Sequence, residues 1–165
     1  MPARRRTLAA VGLLVAAGTT GCGVSSPSAA PSPVTPGLSA HDAAACSRFM
    51  HALPKRLADQ PLASRSAGGR RASYGDPAIV VTCGVGVPPG FKIGAECQVA
   101  NGVGWYLPSA QYDDQSLDAT LTAAGYRPRV EAVIPAVYRP NALPAVMAEL
   151  AGGVRRDFRK TTGCV

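Results

Sequence analysis

Gly75-Asp76-Pro77-Ala78-Ile79-Val80-Val81-Thr82-Cys83 is the segment from which the architecture can be read. Gly-Asp-Pro is turn chemistry, and the β-branched run from Ala78 to Cys83 is too short for a helix, so this is a turn feeding a strand. Working outward, Gly84 to Gly90 with Pro88-Pro89 reads as a loop, and Ala95 to Ala100 and Val103 to Leu107 as further strands. Leu117 to Ala123 and Arg129 to Ile134 form a hairpin about residues 125–128. Upstream, Cys46, Phe49, Met50, Leu53 and Leu57 recur at helical spacing from a start near Asp42, with Pro54 kinking or ending the helix. Downstream, Leu143, Val146, Met147, Leu150 and Val154 mark a second amphipathic helix. Strands on short turns between two terminal helices give an α+β fold: an antiparallel sheet of about four to five strands packed by the helices.

The chain has 165 residues, with 17 Lys and Arg against 10 Asp and Glu, for a net charge of +7. That is one domain's length. Charge is uneven: residues 41–75 carry +4, residues 76–120 carry −4 and residues 121–165 carry +4. Cleavage before Cys22 would remove Arg4, Arg5 and Arg6 and leave +4, a mildly basic balance that is not a nucleic-acid binder's signature. A monomer is expected.

The first 21 residues are an address. Arg4, Arg5 and Arg6 precede an apolar stretch from Leu8 to Gly18. A helix of that length reaches only about 16 Å, short of a roughly 30 Å hydrocarbon core. Thr19-Thr20-Gly21-Cys22 resembles a bacterial lipobox, with Thr19 where an aliphatic residue is preferred. The expectation is a signal peptide over 1–21 and a lipid anchor on Cys22, which places the protein on the extracytoplasmic face of the membrane. Cleavage after Ala17 is the secreted alternative, and Arg5-Arg6 is a weak twin-arginine likeness. Residues 22–40 are rich in Ser, Pro and Ala, a tether able to reach on the order of 50 Å at about 3.1 Å per residue. The globular domain is then 41–165.

Setting Cys22 aside leaves Cys46, Cys83, Cys97 and Cys164, an even number in a disulfide-permissive compartment. Four cysteines allow three pairings. The preferred one joins Cys83 to Cys97 across a local loop and Cys46 to Cys164 between the helical ends. Without a Cys-X-X-Cys they read as staples.

Ala52-Leu53-Pro54 after a helical Cys, Gly75-Asp76-Pro77-Ala78-Ile79-Val80 leading to Cys83-Gly84-Val85, then Cys97, Gly104-Trp105, Arg127-Pro128 and Val133-Ile134-Pro135 together resemble a known family. It is the actinobacterial domain of unknown function three-five-one-five, found in secreted proteins and lipoproteins. The resemblance covers most of 41–165, with Tyr74 where Trp is expected and a long Ala- and Arg-rich stretch from Ala63 to Ala72. It implies an envelope location and no catalytic residues.

Little chemistry is legible. His41 and His51 are the only imidazoles, and His51 falls off the apolar helix face. Gly-X-Ser-X-Gly and His-Glu-X-X-His are absent, and neither a cofactor nor a metal is expected. Asp113-Asp114, with Asp118 nearby, lacks the alternation of an EF-hand. Gly84-X-Gly86 is half a dinucleotide loop, without the helix that would present amides. Arg65, Arg70 and Arg71 around Gly68-Gly69 are candidates to bind an anionic partner, against an exposed loop whose arginines only add solubility. Arg155, Arg156, Arg159 and Lys160 make the last helix basic, able to touch headgroups or simply to suit the helix dipole. Trp105 and Tyr106 face opposite sides of a strand, one as core and one as a ligand platform; a buried Trp105 is the ordinary reading.

Three functions follow. The first is a non-enzymatic envelope lipoprotein binding a protein or cell-wall polymer through Arg65, Arg70 and Arg71. The second is a small-ligand or glycan carrier with a sheet–helix pocket near Trp105. The third is a hydrolase relying on Asp76, Asp113 or Asp114, which requires a carboxylate of raised pKa in a cleft.

Overall fold

Ser39 starts the first helix: its hydroxyl accepts from Asp42 N at 3.1 Å, capping α1, Ala40–His51. This computed structural model describes residues 37–161 and Cys164, so the expected signal peptide, Cys22 and the tether as far as residue 36 lie outside the described residues. Leu38, ahead of the expected domain start at residue 41, already packs against the core. Pro54 follows the end of α1, as its missing N–H requires. Leu57, expected on the helix face, is instead on a short strand, β1 (Arg56–Leu57), and is fully buried there.

The strands that follow are β2 (Gln60–Arg65), β3 (Arg71–Tyr74) and β4 (Ile79–Val85). Next come β5 (Gln98–Ala100), β6 (Val103–Trp105) and a short helix, α2 (Ser109–Asp113). β7 (Ala119–Thr122), β8 (Tyr126–Arg127) and β9 (Arg129–Ile134) precede a 3-10 turn at Ala136–Tyr138. The long helix α3 (Arg139–Asp157) and β10 (Arg159–Lys160) complete the fold.

Six strands form one antiparallel sheet in the order β1-β2-β3-β4-β9-β7. The β5–β6 hairpin joins its far edge through a bridge between Tyr106 and Thr122. The architecture is the α+β fold expected, with α1 and α3 on one sheet face. Ile79, Val81 and Cys83 of β4, Val130, Ala132 and Ile134 of β9, and Leu121 of β7 alternate inward to meet Phe49, Val146 and Leu150. Helix–helix contact is close: a Cβ on Gly153 would lie 3.0 Å from the Phe49 ring.

Two expectations are corrected. The disulfides are Cys46–Cys83 and Cys97–Cys164, not Cys83–Cys97 and Cys46–Cys164. Cys83 lies on the inward face of β4, under α1, so its neighbour is the helical Cys46, while Cys97 sits beyond a long loop beside the C-terminal segment. The Ala- and Arg-rich stretch is also a hairpin, not a loop. β2 is exposed along most of its length, and the two strands pair with a bulge between Leu62 and Ser64. Backbone pairing to β4 holds them, with Ala72 and Tyr74 buried in the core and Leu62 partly buried against it.

Candidate functional site

The hairpin makes Arg65 and Arg70 structural. The Arg65 guanidinium donates to Met50 O near the end of α1, where carbonyls lack helical partners. Arg70 donates from Nε to Cys83 O at 3.1 Å and from Nη2 to Gly84 O at 2.7 Å. Gly84 has φ +78°, and a Cβ there would lie 2.5 Å from Arg70 Nη2 and 2.7 Å from Leu38 Cδ1. Arg65 and Arg71 are both exposed and Arg70 half-buried. Trp105 is fully buried and offers no ring to a ligand, while Tyr106 on the opposite side is nearly buried beneath Phe91, ring centroids 5.3 Å apart.

The carboxylates singled out do not converge. Asp76, Asp113 and Asp114 are exposed. Asp114 accepts from Ser116 Oγ at 2.6 Å and Ser116 N at 2.9 Å, and these bonds hold its carboxyl below the usual range. Neither His41 nor His51 is buried. Among the described residues no His, Cys, Asp and Glu cluster fit for a metal was found. No helix among them is long and apolar enough to cross a membrane.

A cavity between the two long helices has an apolar floor and a charged rim. It lies between the C-terminal end of α1 and the last turns of α3, has a volume of about 370 Å³, and is floored by Phe49, Leu53 and Leu150 with Pro54 at one wall. Gly152 opens it. A Cβ at Gly152 meets nothing within 4 Å, so packing does not require glycine there. A helix-interior glycine costs about 1 kcal/mol relative to alanine. Gly153, its neighbour, packs tightly on Phe49, where a Cβ would lie 3.0 Å from the ring, whereas a Cβ at Gly152 would enter open space. Glu149 and Arg156, seven residues apart and hence on one face, stand at its rim. Glu149 accepts from Ala58 N at 3.3 and 3.4 Å. Asp157, its side chain 5% exposed, pairs with Arg156 at 2.7 Å and Arg48 at 3.6 Å, so with Glu149 the rim carries two cations and two anions and is charged but balanced.

A concavity at Glu96, Ser109, Tyr112 and Asp113 is larger, about 480 Å³, but its walls are exposed polar side chains and Tyr112, with no buried apolar floor. The groove is the better site on chemistry. Its helical residues Phe49, Leu53 and Leu150 were visible in the sequence only as core, and its one distinguishing sign was the pair Gly152-Gly153 inside an otherwise regular helix.

A family model described as Protein of unknown function (DUF3515) matches residues 6–161. The chain belongs to this family. No curated protein and no solved structure matches it. Membership in DUF3515 thus fixes kinship and leaves activity to the geometry. The two disulfides are compatible with an extracellular setting.

Proposed function

We propose that the chain is a cell-envelope lipoprotein, anchored through Cys22 outside the cytoplasmic membrane, whose domain is a non-enzymatic binding module that takes a ligand or partner segment into the α1–α3 groove. The observation that carries this reading is Gly152, an interior helix glycine with open space where its side chain would be, above a floor of Phe49, Leu53 and Leu150. The groove also lies at the end of α1 opposite Leu38, where the expected tether joins. Twelve helical residues separate the two ends, roughly 18 Å. A domain tethered at Leu38 would hold the groove away from its anchor.

Arg65 and Arg70, which the sequence offers as a contact to an anionic partner, support this module indirectly by fastening the β2–β3 hairpin to α1 and β4. The experiment is affinity capture on solubilised envelope with the oxidised domain, wild type against Gly152→Phe. A species saturably retained by wild type and lost with the filled groove supports the reading. Equal retention, or none, overturns it. Fatty-acid labelling of wild type against Cys22→Ser tests the anchor separately, and equal labelling refutes it.

A further inference from the structure

The loop after β4 carries two of the most exposed bulky apolar side chains among the described residues. Ile93 is 78% exposed and Val87 53%. The loop is nonetheless held at its middle. Tyr106 donates its hydroxyl to Pro89 O at 3.4 Å, Phe91 packs edge-on against Tyr106, and a Cβ on Gly90 would lie 2.9 Å from the Tyr106 oxygen. Pro88 is buried beneath. The two apolar side chains therefore project from a fastened base.

The chain that precedes the described residues enters at the same place. Leu38 approaches Gly84, and Val87 is three residues further on, so no more than about 11 Å of chain separates them. Lys92 is exposed between Phe91 and Ile93. Arg71, also exposed, pairs in register with Thr82 and so points to the outer sheet face. Glu96, at the foot of the loop, is its one acidic residue. Two isolated side chains offer far less than the roughly 800 Å² per partner of a stable protein interface. A lipid surface needs no complementary shape, and apolar side chains beside cations suit its interfacial region.

We propose that loop 86–94 docks the domain on an anionic bilayer, with Val87 and Ile93 entering the interface and Lys92 and Arg71 meeting the headgroups. This rests on the reading that the N-terminal segment brings the domain to a membrane, and it makes Leu38 and the loop the membrane-facing end. The groove then points away from the lipid.

The test uses the chain from residue 22 with Cys22→Ser, which keeps the whole core and both disulfides, so the outcome does not depend on acylation. Cosedimentation with phosphatidylglycerol vesicles should exceed that with phosphatidylcholine and weaken with added salt. Ile93→Asp should reduce partitioning about tenfold or more. Ile93→Trp adds a second tryptophan to the buried Trp105, and its emission should shift to the blue and be quenched by brominated lipid. Val137→Trp, an exposed control beside the opposite end of β4, should not respond. Absence of vesicle binding, binding unchanged in Ile93→Asp, or equal quenching at positions 93 and 137 would overturn the proposal. Cys22 labelling remains the independent check on the anchor itself.

Discussion

Tyr74 is fully buried and donates its hydroxyl to Pro54 O at 3.0 Å, tying β3 to the turn after α1. Burial raises its pKa; Arg65 pulls it down, and Glu149 adds to the rise. A raised folded pKa gives stability that is complete below the unfolded value, near 10, and lost as pH rises through the folded one. Urea unfolding should therefore show stability falling above about pH 10, and Tyr74→Phe should flatten that fall while costing about 1 kcal/mol at neutral pH. Asp114 has the opposite sign: its lowered pKa favours the fold above the unfolded value and loses that benefit as pH falls through the folded one. Gly84 makes a sharper case. At φ +78° with Arg70 and Leu38 against it, Gly84→Ala combines left-handed strain with collision, and should destabilise by about 2 kcal/mol or more in the same assay. None of this was legible in the sequence, where Gly84 read as half of a discarded nucleotide loop and Arg70 as a free anion contact.

Among the elements, β4 and β9 were legible because their Val and Ile runs have one structural use, and their pairing places Val81 opposite Ala132 as a hairpin-rich sheet requires. The β2–β3 hairpin was not, since Ser64 to Arg70 contains no apolar alternation and its strands are specified by the neighbour they pair with. Disulfide pairing failed for a related reason: it depends on which face of β4 carries Cys83. The two bridges also differ in exposure. Cys46 and Cys83 are buried, while Cys97 and Cys164 are partly exposed. Under limiting reductant, alkylation with mass spectrometry should find Cys97 and Cys164 labelled first. Closing loops with sequence separations of 37 and 67, each bridge is worth about 4 kcal/mol in the chain-entropy model. Removing Cys46–Cys83 by paired Ala substitution should lower the urea midpoint more than Gly104→Ala, which only crowds Cys164 at 3.2 Å.

At the scale of the molecule, the fold sets two ends apart. One holds Leu38, Gly84 and the exposed loop with Ile93; the other holds the groove beneath Gly152. The helical faces that floor the groove were readable as core, but a cavity arises from how two helices meet, and sequence periodicity does not record that. The central claim is that this groove is the contact surface of the domain. A photoreactive residue at Ala52, on the groove wall, tests it in intact cells against the same residue at Val99, exposed on β5. The account predicts a discrete adduct from position 52 that disappears with Gly152→Phe, and none from position 99. Equal or absent crosslinking at the two positions, or an adduct from position 52 indifferent to Gly152→Phe, would contradict it.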